Sequence, residues 1–350
     1  MQKIVAAAIG YYHYLLLDSK GTVYSFGNNE NGQLSFPDFL DRERPVQLSN
    51  LPKIQAITAG SGFSLALGKE GTVFSWGSNC FGQLGRNTLE ILYEAFGSSQ
   101  EPTESDPTPT KIPFFKNIVQ IASGDSFSLV LNARGEVFTF GYLGKNDYGQ
   151  GNELENLGEI RKVPNLAHIR SICVGENHCF ALNGSGEVFG WGLNEYGVLG
   201  TGDTKDRFFP EKIPNLPKMK KIVAGSYFSL GLSDTGQLFG WGYNRCGQIF
   251  PTNFEAHILT PRTWTRENYA KDIAASFEFS YVRTYKDKIL VCGPPVPASA
   301  PFLSTEVFDS PRKDLSLYSN LIFSNKSSRA IEPDLYETIT RDLIIDAIQL

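Results

Sequence analysis

Methionine and histidine are scarce in this chain, with 2 and 4 copies in 350 residues. Four histidines leave little material for a His-based metal or acid–base centre. His13 and His178 occupy one column of an internal repeat, and His168 and His257 stand in linker strands without partners at metal-ligand spacing. The cysteines, Cys80, Cys173, Cys179, Cys246 and Cys292, are odd in number and form no CxxC pair. Neither a disulfide framework nor a zinc site is indicated, and scattered thiols fit a reducing compartment, cytoplasmic or nuclear. No apolar run approaches the ~18 residues of a membrane span. The opening Ile4–Ala8 stretch lacks the charged lead and cleavage site of a secretory leader. A net charge of −5 weighs against nucleic acid, which needs a positive footprint. The short run Lys218-Met219-Lys220-Lys221 reads as a solvated loop. No Gly-x-Ser-x-Gly elbow, phosphate loop or clustered carboxylate motif occurs, so covalent catalysis is not expected.

What the chain has is a period. An aromatic residue followed by glycine recurs at Phe26-Gly27, Trp76-Gly77, Phe140-Gly141, Trp191-Gly192 and Trp241-Gly242, with Cys292-Gly293 a worn sixth copy. The glycine spacings are 50, 64, 51, 50 and 51. A fixed period of this size marks a repeat architecture.

Each copy opens with an apolar strand that ends near glycine, as in Ile54–Gly60 and Ile169–Gly175. Two variable residues follow, then a His or Phe column: His13, Phe63, Phe127, His178, Phe228, Phe279. A second strand, a polar turn closed by glycine, and a third strand lead to the aromatic-Gly pair. Next comes an Asn-x-x-Gly-Gln-Leu-like turn at Asn29–Leu34, Asn79–Leu84, Asn194–Leu199 and Asn244–Ile249. A fourth short strand sits beside a proline, as at Pro45–Leu48 and Pro210–Ile213. Four short strands per copy describe a propeller blade, and no copy carries the 3.6-residue apolar pattern of an α-solenoid. The aromatic before glycine is expected to wedge between neighbouring blades.

These motifs resemble the RCC1 family of regulator-of-chromosome-condensation-like propellers. The resemblance covers about residues 2–293, and Phe replaces the family's His in four copies. It implies an all-β, RCC1-like β-propeller of seven blades. We expect the last to be truncated, beginning at Ser310-Pro311-Arg312 and stopping at Ile331, with six blades the alternative. The propeller then spans 1–331 with an insertion loop at 86–110. A C-terminal α-helix follows at 332–350, with Leu335, Ile339, Leu343 and Ala347 at i+4 steps. Residues 294–301 read as a stiff connector. The insertion combines an amphipathic stretch, Leu89–Phe96, with an acidic Pro/Ser/Thr-rich one, Ser98–Pro107.

Family members include guanine-nucleotide exchange factors for the small GTPase Ran, ubiquitin-ligase modules, a plant ultraviolet receptor and bacterial effectors. Fold alone does not choose among these. The photoreceptor reading is poor, because the recurring tryptophans Trp76, Trp191 and Trp241 all stand in the wedge column. In the exchange factor, contacts come from turns between the first two strands, one bearing Gly-Asp-Ser-His. Gly124-Asp125-Ser126-Phe127 matches all but its last residue. The next copy reads Gly175-Glu176-Asn177-His178, its acid moved by one place. A family wedge corresponds to the lengthened segment holding Lys145, Asn146 and Asp147. The expected partner-binding residues are thus Asp125, Ser126, Glu176, Asn177, His178, Tyr11, Tyr12, Tyr227, Lys145, Asn146 and Asp147. The first function is regulation of a small GTPase, a Ran-type exchange factor. The alternative is a non-catalytic interaction scaffold, or a bacterial effector working in the host cytosol. A monomer with no cofactor or metal is expected.

Overall fold

The computed structural model describes residues 3–86, 105–143, 159–250, 255–264, 270–286, 288–293 and 308–309. The expected C-terminal helix, the connector at 294–301, the seventh copy from 310, and most of the insertion lie outside these residues.

The described strands form six four-stranded antiparallel sheets, one per copy. The first holds β1 (Ile4–Ile9), β2 (His13–Asp18), β3 (Val23–Gly27) and β4 (Arg42–Gln47). The second holds β5 (Ile54–Ala59), β6 (Phe63–Gly68), β7 (Val73–Ser78) and β8 (Ser105–Lys111). The third holds β9 (Ile118–Ser123), β10 (Phe127–Asn132), β11 (Val137–Gly141) and β12 (Arg161–Lys162). In the fourth are β13 (Ile169–Val174), β14 (His178–Asn183), β15 (Val188–Gly192) and β16 (Arg207–Lys212). In the fifth are β17 (Met219–Ala224), β18 (Phe228–Ser233), β19 (Leu238–Tyr243) and β20 (His257–Thr263). The sixth comprises β21 (Ala270–Ser276), β22 (Phe279–Thr284), β23 (Lys288–Cys292) and β24 (Phe308–Asp309).

The blade count is therefore six among the described residues, which corrects the expectation of seven. The physical reason is in the pairing. The first sheet completes itself with β4, where Ser25 faces Val46, so it needs no strand from elsewhere. The sixth completes itself with Phe308 opposite Ile289. A second correction concerns the insertion. Its last residues are strand: β8 pairs with β7, placing Asp106 opposite Gly77 and Thr110 opposite Ser75. Arg86 at the insertion's start is buried and forms an ion pair with Asp106 at 2.8 Å. Its guanidinium also donates to the Ser75 hydroxyl and carbonyl, both at 3.1 Å. A buried charge is tolerated only with such partners.

The chain divides into two compact units, Met1–Ile172 and Cys173–Leu350. Within each unit one device joins successive sheets. In the first unit the Gln33 carbonyl, in the Asn-x-x-Gly-Gln-Leu turn of copy one, accepts two bonds from copy two. One comes from the Ser64 hydroxyl at 2.9 Å and the other from the Trp76 indole N–H at 2.9 Å. In the second unit the Val198 carbonyl accepts from the Ser229 hydroxyl at 2.9 Å and the Trp241 indole at 2.7 Å. Where the wedge is Phe140 or Cys292, the serine acts alone: Ser128 donates to the Gln83 carbonyl at 3.2 Å and Ser280 to the Gln248 carbonyl at 2.6 Å. The wedge expectation holds. Trp76 packs with Leu15, Leu17, Val23 and Leu48 of the preceding copy, and Trp241 meets Phe180 edge-on at 6.0 Å.

The turn that offers this carbonyl is closed by its asparagine. Asn29, Asn194 and Asn244 are fully buried. Each uses its side-chain oxygen to accept the amide five residues on, from Leu34, Leu199 and Ile249, at 2.8–3.0 Å. Polar groups without water must be bonded, so the Asn column is fixed by turn geometry.

Trp76→Phe keeps most of the packing but removes one donor to Gln33. We expect a loss of about 1–2 kcal/mol in urea unfolding. Unchanged stability would show that the indole bond holds nothing together.

Candidate functional site

Antiparallel order puts the turn between the first two strands and the loop between the last two at the same end of each sheet. The amide after the aromatic-Gly pair ties the two together. Asn28 donates to the Tyr12 carbonyl, Ser78 to Gly62, Tyr142 to Ser126, Leu193 to Asn177 and Tyr243 to Tyr227, all at 2.8–2.9 Å. The variable turns thus sit on a hydrogen-bonded base. Loops presented by a rigid scaffold are where binding residues concentrate.

In the first unit, Tyr11 is half-buried and Tyr12 is 44% exposed, their ring centroids 5.8 Å apart. The Ser61 amide of copy two donates to the Asp125 carbonyl of copy three at 3.1 Å, which fixes the backbone of that turn. The Asp125 side chain is half-buried and accepts the Ser126 hydroxyl at 3.0 Å. Ser126 is itself buried, so it orients the carboxylate from below. Phe81 of copy two stacks on Tyr142 of copy three at 5.5 Å. Lys145, Asn146 and Asp147 lie outside the described residues.

In the second unit, Glu176 and Asn177 are half-buried. The Tyr227 hydroxyl donates to Glu176 Oε1 at 2.7 Å, joining two turns that are 51 residues apart in sequence. Sequence reasoning placed both residues among the partner-binding set, and the structure brings them together. It missed Tyr196, which packs against Tyr227, and Tyr243 and His257, which pack against Tyr196. Tyr196 is 5.3 Å from Tyr227, 5.1 Å from Tyr243 and 5.3 Å from His257, centroid to centroid. The available signal was the ring in Asn194-Glu195-Tyr196-Gly197, at the same turn place as Phe81.

His178 is a correction. It is 1% exposed, so its side chain cannot reach a partner. Its Nε2 lies 3.3 Å from the Ser229 hydroxyl, whose own proton goes to Val198. His13 repeats the arrangement, with Nε2 2.8 Å from Ser64, whose proton goes to Gln33. A serine that has spent its proton can only accept, so each imidazole donates from Nε2–H and is neutral. Burial pushes both pKa values down to about 3. The glycine three residues earlier makes room for the ring: a Cβ on Gly175 would meet the His178 ring and the Gly225 carbonyl oxygen. The His column is thus part of the inter-sheet joint, which is why Phe substitutes for it elsewhere.

Among the described residues no cluster of three or more His, Cys, Asp or Glu side chains can hold a metal ion. No helix there is long and apolar enough to cross a membrane.

A family model described as "RCC1-like domain" matches residues 1–295. The chain is 31% identical over 213 residues to the ultraviolet-B receptor UVR8 of Arabidopsis thaliana, covering 60% of this chain and 46% of that protein. It is 30% identical over 236 residues to the guanine nucleotide exchange factor SRM1 of Saccharomyces cerevisiae, covering 57% and 47%. It thus spans less than half the length of these curated relatives. Among solved structures, Prp20p of Saccharomyces cerevisiae, studied for its binding to Gsp1p and histones, matches with a TM-score of 0.69 and 27% identity. That match covers 83% of this chain and 72% of the other.

The depressed histidine pKa values have a sign that can be tested. The folded imidazoles stay neutral down to about pH 3, whereas unfolded ones protonate below about 6.5. Stability is therefore full above pH 6.5 and lost as pH falls from there toward 3. At pH 5 one such histidine costs about 2 kcal/mol. His178→Phe, which supplies the residue found in four other copies, should shrink the loss between pH 7.5 and 5 by about that amount in urea unfolding. A variant losing as much stability as the parent would refute the neutral-histidine assignment.

Proposed function

This chain belongs to the RCC1-like domain family, and from that membership we propose that it regulates a small GTPase by Ran-type guanine-nucleotide exchange. The observation that carries the proposal is the Gly124-Asp125-Ser126 turn, whose carboxylate is half-exposed and oriented by Ser126 and whose backbone carbonyl accepts the Ser61 amide. The reading draws support from the exchange factor among its relatives and from the likeness to Prp20p.

Exchange makes and breaks no covalent bond. A factor need only bind the nucleotide-free GTPase better than the loaded one, and it shifts the equilibrium by that difference. Carboxylates are suited to this. Asp125, and Glu176 in the second unit, can compete with nucleotide phosphates for the cationic groups and Mg²⁺ that hold them. Tyr12, with the half-buried Tyr11 beside it, adds exposed aromatic surface, the kind of side chain that anchors protein interfaces. On this account Lys145, Asn146 and Asp147 extend the same binding set. The second reading is a platform that holds a protein without exchanging its nucleotide. It draws support from relatives named for other roles, such as the ultraviolet-B receptor UVR8.

Release of fluorescent GDP from a panel of small GTPases, Ran first, separates the two. We expect acceleration by the wild-type chain, reduced about 10-fold or more by Asp125→Ala, which corresponds to about 1.4 kcal/mol of differential binding. Binding of the loaded GTPase should change less. No acceleration of any panel member would overturn exchange and leave the platform.

A further inference from the structure

The second unit carries a cluster of which the exchange reading uses Glu176 alone. Five side chains from five separate segments of the chain converge: Glu176, Tyr196, Tyr227, Tyr243 and His257. The rings are not a flat stack. Tyr196 stands at 75° to Tyr227, at 75° to His257 and at 57° to Tyr243, so the aromatic faces make angled walls. The three tyrosines are half-buried and His257 is exposed. Beside them the Glu176 carboxylate is held by the Tyr227 hydroxyl at 2.7 Å. Glu195 is exposed next to Tyr196, and Arg245 is the neighbouring cation, leaving the surroundings net negative.

Tyr196 sits at the centre with φ of 97°, a conformation costly for a bulky side chain. At the same turn position, Asn31, Phe81 and Cys246 do not enter this region. Among these four turns the strain is thus confined to the copy that carries the cluster.

Angled aromatic faces beside a fixed carboxylate are the surroundings that a guanidinium prefers. It is planar, weakly hydrated, attracted to ring faces and able to bond a carboxylate through two N–H groups. The chain itself holds one arginine in this way. Arg42 lies over the Phe36 ring at 4.5 Å while pairing with Asp38 at 2.5 Å. We propose that the Glu176–Tyr196–Tyr227–Tyr243–His257 cluster is a recognition site for an arginine side chain of a protein partner. The proposal deepens the functional reading above, on which it rests for the partner being a protein.

The test uses Nα-acetyl-arginine methylamide as probe and the citrulline analogue, of the same shape without charge, as control. Tyrosine and His257 ring signals of the full chain are followed by NMR. We expect saturable shifts confined to these rings, with affinity in the millimolar range and about fivefold weaker for citrulline. Glu176→Gln should weaken arginine binding about fivefold, and Tyr196→Asn, which tolerates positive φ, should abolish it. Tyr227→Phe keeps the ring but frees the carboxylate, so it serves if Tyr196→Asn does not fold. Absence of saturation, or equal shifts from citrulline, would overturn the site. Ring shifts that grow with protein concentration alone would assign it to a second copy and overturn a foreign partner. The probe needs no GTPase, so failure here leaves the Asp125 release assay standing, and failure of that assay leaves this one standing.

Discussion

One backbone carbonyl per joint carries the architecture. Gln33 and Val198 each present an oxygen that accepts a serine hydroxyl and an indole N–H from the following copy. A four-stranded sheet of this size cannot bury its faces alone, so each must be closed by its neighbour. Packing by Trp76 or Trp241 supplies apolar burial, but that term is non-directional. The shared carbonyl supplies direction and fixes the register of one sheet on the next. Several features of the chain follow from it. The Asn column closes the turn that offers the carbonyl. The small residue ahead of the His or Phe column makes space for the ring beside the same serine. The neutral histidines follow because a serine already committed to the carbonyl can only accept.

Most of this was legible in the sequence because it is imposed locally and repeated. The strand positions, the Asn-x-x-Gly-Gln-Leu turn and the wedge column all recur at a fixed period, and each reflects one backbone requirement. Failures came where the cause is long-range. The seventh blade rested on an echo of strand composition after residue 310, whereas sheet membership is decided by pairing, and the sixth sheet closes with Phe308 and Asp309. The insertion boundary at 110 was too late because Ser105–Lys111 is rich in proline and threonine and reads as loop. Only the ion pair from Arg86 to Asp106 and the pairing with β7 show it to be strand. His178 entered the partner-binding set through family position, yet it is buried beside Gly175 and Ser229. Glu176 and Tyr227 were named from the sequence, but Tyr196, Tyr243 and His257 were not, because the members are scattered from 176 to 257 and meet only through folding.

The division of labour between scaffold and loops is sharp. At one end of four of the sheets a polar turn residue caps its own backbone, as Asp18 does for Lys20 and Thr22 and Asn183 for Ser185 and Glu187. Those groups are spent on structure. The other end carries side chains that differ from copy to copy and are only partly satisfied within the chain. Asp125 has one internal donor, Glu176 accepts the Tyr227 hydroxyl, and Tyr12 faces solvent. Unspent polar capacity on a rigid base is what a binding surface requires. Asp125 shows how the two roles meet, its backbone carbonyl bonded by Ser61 for the joint and its carboxylate, held by Ser126, turned to binding.

The most direct test of the central claim is hydrogen exchange by mass spectrometry on Ser64→Ala. This change removes one donor to the Gln33 carbonyl and the acceptor of the His13 imidazole, while leaving Trp76 in place. If the carbonyl couples the sheets, exchange should quicken in two separated segments, the turn at residues 28–36 of copy one and the turn at 60–63 of copy two. The capped turn at 19–22, at the far end of the first sheet, should be unchanged. Faster exchange around residue 64 alone would show that the sheets are held by apolar packing and that the shared carbonyl is incidental.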